Sequence, residues 1–320
     1  MLLFALKRLG YVLPIAFGVS IICFMLVHLA PGDPASALIP DNTPPAIAAQ
    51  IKEAYGFDKP LPVQYLRWLS RVVSGDFGMS ITTRRPVLSE VMPAMLNTFK
   101  LAGGAILLAC VGGIVLGTLG AYRNGRLSDR FIGSIGIAVI SVPQYWLGMV
   151  LIVIFSVNLG ILPATGMGDT RFAPIWDQIR HLILPTIALA VVPTGLIARS
   201  VRSTVGEILK QEFIQTLHAN GLPPVRVFLH VIKNAAPPAL AVIGLEFARL
   251  LGGSILVETV FSWPGTGFLL NSAIFMRDLP VVQGTVLALA MFFVLTNVVV
   301  DVLQMVFDPR FKRVRTVSGT

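Results

Sequence analysis

A series of long apolar segments constrains this chain more than any other feature. A helix needs roughly 20 apolar residues to cross the hydrocarbon core of a bilayer. Segments of about that length lie at residues 9–29, 98–121, 131–159, 182–198, 235–257 and 280–307. Backbone groups cannot stay unpaired in hydrocarbon, so such segments fold as helices. The sequence therefore predicts an all-α, polytopic membrane protein with about six transmembrane helices.

The composition supports the membrane class. Hydrophobic residues make up 55% of the 320 residues and charged residues only 13%, whereas soluble domains carry about 25% charged residues. The formal net charge of +9 would suggest a nucleic-acid partner for a soluble protein, but no basic stripe with interleaved aromatic residues occurs. Basic residues on cytoplasmic loops explain the charge, so we expect a lipid bilayer and no nucleic acid as partner.

The first apolar segment has two interpretations. Lys7 and Arg8 precede it, and Ala35-Ser36-Ala37 follows it in the manner of a cleavage site, as in a secretory signal peptide. The apolar region of a signal peptide is about 7–15 residues long, and this segment is longer. We therefore favour a retained transmembrane helix over residues 1–30.

The charges of the short loops predict the orientation. Arg171, Arg180 and Arg277 are the basic residues of one set of short loops, whereas the opposite set is far richer. Lys and Arg accumulate on the cytoplasmic side, so we expect a multi-pass protein of the bacterial cytoplasmic (inner) membrane with both termini cytoplasmic. The basic set contains Lys7, Arg8, Arg123, Arg126, Arg130, Arg199, Arg202, Lys210, Arg226, Lys233, Arg310, Lys312, Arg313 and Arg315.

The long segment 31–97 is then an extracytoplasmic loop or cap region. Helices are predicted over residues 46–55 and 62–73, and Val63, Leu66, Leu69 and Val73 recur in the second at helical spacing. This loop either caps the outer mouth of a pore or docks a partner. The permease core follows at residues 98–307, and residues 308–320 form a cytoplasmic tail.

The polar segment 199–234 lies between the fourth and fifth apolar segments. Residues 200–220 are predicted to be helical, Gly221 ends that helix, and Pro223-Pro224 starts a second short helix that reaches residue 234. Two short helices joined at a glycine make a knob that fits a groove on another protein. An ordinary hairpin without a partner is the alternative.

Charged and small residues inside the apolar segments need a protein neighbour. A charge at the bilayer centre costs about 2.5–3.5 kcal/mol on insertion scales, so Glu246 and Arg249, three apart, should pair on one helical face. The pair either lines a translocation path or is structural. Gly113 and Gly117 form a G-x-x-x-G motif that lets helices approach closely.

The sequence offers few groups for catalysis or metal binding. Cys23 and Cys110 lie in separate apolar runs, without the spacing of a metal site. Neither the P-loop motif G-x-x-x-x-G-K-[ST] nor the zinc motif H-E-x-x-H occurs. We therefore expect no catalytic residue, metal or cofactor on this chain, which disfavours a membrane hydrolase.

Several stretches resemble one family. The run from Glu212 to Leu222 resembles the EAA-type coupling loop of ATP-binding-cassette (ABC) importer permeases, and is most similar to the first-subunit branch of the dipeptide/oligopeptide/nickel family. Other stretches that resemble the family are residues 28–34, 55–65, 258–267, 277–284 and 308–310.

The resemblance implies a type I importer permease fold that forms half of a translocation pathway by alternating access. It also implies a second homologous permease, two ATPase subunits that bind ATP and Mg, and an extracytoplasmic solute-binding protein. The ATPase-coupling residues would be Glu212, Thr216, Ala219, Asn220, Gly221, Leu222 and Arg226. Candidates for the path or an outer gate, within or near an external re-entrant segment at 258–280, are Glu246, Arg249, Trp263, Pro264, Gly265, Gly267, Asn271, Arg277 and Asp278.

The substrate and one rival class stay open. Peptides are favoured because no cluster of metal ligands lies in the apolar segments, but the family also includes importers of nickel chelates and glutathione-like peptides. An ion-coupled secondary transporter is the rival class, and it would favour inverted repeats, of which the sequence shows no clear sign. Trp263 has a second interpretation as an anchor at the membrane interface.

Overall fold

A computed structural model describes residues 2–29, 44, 59–123, 141–168 and 175–307, and this part of the chain is helical without a named strand. The helices are α1 (Leu2–Leu29), α2 (Leu61–Val73), α3 (Val87–Tyr122), α4 (Gln144–Leu151), which continues as a π-helix over Ile152–Asn158, α5 (Ile175–Leu209), α6 (Glu212–Ala219), α7 (Pro224–Gly253), α8 (Ile255–Val260), α9 (Thr266–Phe275) and α10 (Leu279–Phe307).

The all-α membrane architecture is confirmed. Helices α3, α5, α7 and α10 are long and apolar enough to cross a membrane, and shorter apolar helical stretches cover Val12–Leu26, Gln144–Asn158 and Thr266–Phe275. The predicted segment 131–159 is described only from residue 141 onward. The predicted helix 46–55, the motif at 35–37 and the tail 308–320 lie outside the described residues.

Helices α3 and α5 form the most extensive helix pair of the bundle. A Cβ atom added at Gly117 would lie 2.6 Å from the Ala198 carbonyl oxygen, and one at Gly113 would lie 2.7 Å from Ile197. Such approach of two backbones is possible only where the side chain is absent. The predicted role of these glycines in close helix contact is confirmed. Helix α7 packs on α5, α10 packs on α7, and α1 packs on α10.

Proline breaks in α5 are accommodated by protein rather than lipid. Pro193 has no N–H to donate to the Leu189 carbonyl oxygen one turn earlier. The Gln144 Nε2 of α4 donates to this oxygen instead, at 3.1 Å. Both Pro185 and Pro193 are buried. The carbonyl is thus satisfied inside the protein, as a membrane helix requires.

The segment 199–234 differs from its prediction. Helix α5 continues to Leu209, so only α6 is a short separate helix, and the predicted second short helix is the start of the long helix α7. Buried Val227, Val231, Ala235 and Ala239 follow one another at four-residue spacing through Pro237 and Pro238. Packing of this continuous face sustains the helix across the prolines.

Candidate functional site

The predicted coupling residues lie on a knob formed by α6 at one end of the bundle. Ile214 is buried, and Phe213 and Leu217 pack against the hydrophobic core. This inner face fixes α6 to the bundle and turns its other side outward. The exposed members of the predicted set are Glu212, Thr216, Ala219, Asn220, Gly221 and Arg226, whereas Leu222 is half-buried.

Gly221 ends α6 in a left-handed conformation. Its φ is 71°, its N–H donates to the His218 carbonyl oxygen at 2.9 Å, and the Leu222 N–H donates to that of Leu217 at 3.2 Å. This pair of bonds is a Schellman motif, for which glycine is preferred because a Cβ is strained there. The predicted glycine stop is confirmed, and α7 begins three residues later at Pro224.

Apolar residues on the first turns of α7 extend the exposed surface of the knob. Val225, Phe228 and Leu229 are all exposed. The Phe228 ring lies 6.1 Å from that of Tyr122, at the end of α3. The sequence prediction did not include these three residues. Their i, i+3, i+4 spacing directly after Pro224 places them on one face of the first turns of a helix, and this spacing could have indicated an apolar surface there.

A second group of predicted residues surrounds a buried carboxylate near the other end of α7. Glu258 in α8 is fully buried. It accepts hydrogen bonds from Thr98 Oγ1 at 2.8 Å and Ser254 Oγ at 2.7 Å. It also accepts from the backbone N–H groups of Gly267 at 2.7 Å and Phe268 at 3.3 Å. Unpaired N–H groups at a helix N-terminus attract anions, so Glu258 fastens the start of α9 to α3.

Glycine is required on both sides of this carboxylate. A Cβ at Gly265 would lie 2.4 Å from Glu258 Oε2, and one at Gly267 would lie 2.4 Å from the Ile255 Cα. The two glycines were predicted as gate residues, and the structure places them directly against Glu258. The sequence prediction did not include Glu258 itself.

Trp263 is a core residue. Its side chain is 2% exposed, and its Nε1 donates to the Asn97 carbonyl oxygen at 3.0 Å. The Asn97 Nδ2 in turn donates to the Pro264 carbonyl oxygen at 3.0 Å. The alternative interpretation of Trp263 as an interfacial anchor is therefore wrong, because such an anchor faces the headgroup region. The Trp263–Pro264 turn is clamped to the first part of α3.

Asp278 forms a second carboxylate anchor. It accepts from Ser80 Oγ at 2.5 Å, from the N–H of Thr82 at 3.0 Å and from the N–H of Ile81 at 3.2 Å. Burial alone would raise the pKa of Asp278, but these hydrogen bonds and one from the Val281 N–H outweigh it and hold the pKa below its ordinary value. Asp278 thus joins the loop before α3 to the start of α10.

The remaining gate candidates differ in exposure. Arg277 is exposed, with a φ of 54°, at the end of α9, and Asn271 is half-buried within α9. The Arg277 N–H donates to the Ile274 carbonyl oxygen and the Asp278 N–H to that of Ala273. Arg277 therefore occupies the left-handed position that a glycine usually fills.

Acidification should loosen the Asp278 anchor. A carboxyl group with a lowered folded pKa contributes stability above its unfolded pKa, here 3.8, and loses that contribution as the pH falls through the folded pKa. We expect the apparent Tm of the purified protein to fall more steeply with acidification below this value than the Tm of Asp278→Asn. Thermal unfolding over a pH series measures the difference. Parallel pH profiles for the two proteins would contradict the assignment.

Glu246 and Arg249 pair within α7, as their spacing predicts. Arg249 Nη1 lies 2.7 Å from Glu246 Oε1, and the Arg249 side chain is 59% exposed whereas Glu246 is buried. Both members of the pair lie on the same helix. The pair borders a cavity of about 410 Å³ between α4, α5 and α7, where Gln144, Pro193 and Leu196 also lie.

The predicted residues thus form three separate groups along α7. A 30-residue helix is about 45 Å long. The α6 knob lies at its N-terminal end, the Glu246–Arg249 pair lies about two turns before its C-terminal end, and the Glu258 and Asp278 anchors follow it. The knob is joined by a short turn to the start of α7, and α7 itself carries the Glu246–Arg249 pair.

Two family models match the sequence of this chain. The family described as "Binding-protein-dependent transport system inner membrane component" matches residues 113–313. "Binding-prot-dependent transport system membrane comp, N-term" matches residues 1–102.

Two relatives match over nearly their whole length. The di/tripeptide transport system permease protein DppB of Pseudomonas aeruginosa is 38% identical, over 98% of this chain and 100% of that protein. The glutathione transport system permease protein GsiC of Salmonella paratyphi A is also 38% identical, over 98% of this chain and 99% of that protein.

A solved structure shares the fold. The inward-facing MetNI methionine ABC transporter contains a chain that superposes with a TM-score of 0.57 at 19% identity, covering 69% of this chain and 97% of that one. At this identity the likeness concerns the fold, which is that of a type I importer permease. The two family models together cover nearly all of the sequence. The chain belongs to the family of inner-membrane components of binding-protein-dependent transport systems.

Proposed function

We propose that this chain is a permease subunit of an ABC importer for peptides, and forms half of the translocation pathway with a second homologous permease. The α6 knob carries the proposal. It is an exposed short helix, continuous through short turns with the long helices α5 and α7, in a chain whose relatives are named as peptide and glutathione permeases.

The knob fits the contact with an ATPase subunit. Its inner face is held by Ile214, while Glu212, Thr216 and Arg226 offer charge and hydrogen bonds outward. Val225 and Leu229 add exposed apolar area, and apolar area at the centre of a polar rim is typical of interfaces. Two ATPase subunits bind ATP and Mg, and their closure pushes on α6.

The motion then passes along α7 in an alternating-access cycle. The Glu258 anchor and the Trp263 clamp make α8, the following turn and α9 move with α3. These elements form the outer gate, on which a loaded solute-binding protein docks. Both termini lie in the cytoplasm, which follows from the loop charges.

Arg249 lines the pathway. A guanidinium group that is 59% exposed within a transmembrane helix cannot face lipid without a large cost, so it faces water or the second permease. Buried Glu246 holds the guanidinium from behind at 2.7 Å. The exposed guanidinium keeps further N–H donors beside this bond. They suit peptides of varied sequence, since each peptide carries a terminal carboxylate.

Uptake measurements test the function. The chain, the second permease and two ATPase subunits are reconstituted into vesicles, with the solute-binding protein of the same transport system outside. ATP enclosed in the vesicles should drive uptake of a labelled dipeptide, and an ion gradient without ATP should not. Uptake driven by the gradient alone would indicate a secondary transporter. Competition by glutathione or a nickel chelate would show that the substrate class is that competitor rather than dipeptides.

Gly221 gives a sharper test of the knob. A Cβ at this position meets no atom within 4 Å, but φ is 71°, so a side chain is opposed by backbone strain of about 1–3 kcal/mol rather than by a clash. We expect Gly221→Val to abolish ATP-driven uptake while membrane insertion stays intact. Gly221→Asn is the matched control, since asparagine tolerates the left-handed conformation, and it should retain most uptake. Full uptake by Gly221→Val would show that the turn at Gly221 does not couple ATP hydrolysis to transport.

A further inference from the structure

Helix α2 packs against the C-terminal half of α1 through aromatic side chains. Tyr65 lies with its ring 6.0 Å from that of Phe17 and 5.5 Å from that of Phe24. Its hydroxyl lies 2.8 Å from the hydroxyl of Ser20. Trp68, one turn later, lies 5.8 Å from the ring of Phe24. Tyr65 and Trp68 therefore define the face of α2 that contacts α1.

This contact lies within the apolar stretch of α1. Ser20 belongs to the stretch Val12–Leu26, and at a rise of 1.5 Å per residue it is about 9 Å from the C-terminal end of that stretch. The hydrocarbon core is about 30 Å thick, which is thicker than the stretch is long, so Ser20 lies at the level of the acyl chains. The half-buried Tyr65 side chain has a hydroxyl partner there for its own hydroxyl group. Helix α2 thus sits at the depth of the membrane surface or below it.

The two other flanks of α2 differ in character. Leu66 and Val73, seven residues apart, share one flank and are 63% and 80% exposed. Arg67 and Arg71, four residues apart, share another. Of the four residues that recur at helical spacing, Val63, Leu66 and Val73 are exposed and only Leu69 is half-buried. The apolar flank has no cover within the described part of the chain.

We propose that α2 is an interfacial helix that lies at the bilayer surface against the C-terminal half of α1. Leu66 and Val73 lie among the acyl chains, and the long side chains of Arg67 and Arg71 extend to the lipid phosphates. Amphipathic helices with basic and aromatic residues bind bilayer surfaces in this way. The topology proposed above makes this the extracytoplasmic leaflet, whereas the depth of α2 follows from α1 alone.

Lipid fits this flank better than a protein partner. The Phe17 side chain touches Tyr65 and is itself exposed on α1, as are Leu13 and Ile21. A transmembrane helix exposes such residues to acyl chains. Through Tyr65, the apolar flank of α2 adjoins this exposed apolar surface of α1, so acyl chains can cover both, and the arginine flank complements anionic headgroups.

Spin-label accessibility tests the proposal. The transporter is reconstituted into phosphatidylcholine/phosphatidylglycerol vesicles with Cys23→Ala and Cys110→Ala in this chain, and single cysteines are labelled with a nitroxide. The positions are Leu66→Cys and Val73→Cys on the apolar flank, Arg67→Cys as the matched neighbour, and exposed Arg85→Cys in the loop before α3 as the aqueous reference. Collisions with oxygen, which concentrates in lipid, are compared with collisions with a water-soluble nickel chelate.

The oxygen-to-nickel ratio should be several-fold higher at positions 66 and 73 than at position 85, with position 67 between them. Ratios at 66 and 73 equal to that at 85 would overturn the proposal in favour of a water-exposed cap. Protection of both labels from both reagents would also overturn it, since a protein subunit would then cover the flank. Neither outcome bears on ATP-driven uptake, so failure here leaves the proposed function to its own test.

Discussion

Replacing Glu258 with alanine is expected to lower the free energy of unfolding by about 3 kcal/mol, because two backbone N–H groups would lose their acceptor at a cost of roughly 1–3 kcal/mol each. These groups belong to Gly267 and Phe268 at the start of α9. Thr98 and Ser254 lose the same acceptor, although a hydroxyl can rotate toward another one. Thermal unfolding in detergent measures the change.

Two further variants make this prediction specific. Glu207→Ala removes an exposed carboxylate on α5 that accepts a hydrogen bond from Ser203 Oγ at 3.2 Å, and should change stability by less than about 0.5 kcal/mol. Glu258→Gln keeps one acceptor oxygen and should fall between the two. If Glu258→Ala were as stable as Glu207→Ala, the carboxylate would not hold α9 to α3.

Features that depend on neighbouring residues were predictable from the sequence. Apolar length predicted the membrane helices, spacing predicted the Glu246–Arg249 pair, and Gly221 predicted the end of α6. Each depends on contacts within a few residues. The pair at 2.7 Å and the Schellman bonds of Gly221 follow from helix geometry alone.

Features that depend on distant residues were not predictable. Glu258 is bonded by Thr98, 160 positions away, and Asp278 by Ser80, 198 positions away. No local pattern connects such partners. The sequence allows Trp263 to be either a gate residue or an interfacial anchor. The hydrogen bond of its Nε1 to the Asn97 carbonyl oxygen, which disfavours the anchor, depends on the fold. The sequence therefore indicated the segment 258–280 and included Asp278 as a gate candidate. It did not include Glu258, and it did not predict the distant partners of either carboxylate.

The continuation of α7 through Pro237 and Pro238 has the same origin. Local rules end a helix before a proline, because the ring removes a donor and crowds the preceding turn. Here Val231 and Ala235 before the prolines, and Ala239 after them, are buried on one face. Burial of that face against the bundle stabilises the helix more than the prolines destabilise it. The spacing of residues in the sequence does not reveal the size of this stabilisation.

The second large effect is expected at the contact between α3 and α5. A Cβ at Gly117 would lie 2.6 Å from the Ala198 carbonyl oxygen and 2.8 Å from the Val201 Cβ. A backbone atom cannot move aside as a flexible side chain can, so the two helices must separate. We expect Gly117→Ala to lower the free energy of unfolding by about 1–3 kcal/mol, the usual cost of overpacking, and Gly117→Leu to lower it further.

Gly103 on the same helix provides a control of opposite sign. A Cβ there meets no atom within 4 Å, and alanine is favoured over glycine inside a helix by about 1 kcal/mol. Gly103→Ala should therefore leave stability unchanged or raise it slightly, although it makes the same chemical change as Gly117→Ala. Thermal unfolding of both variants in detergent compares them directly. If Gly117→Ala also left stability unchanged or raised it, helix propensity rather than the close approach of α3 and α5 would determine the effect at this position.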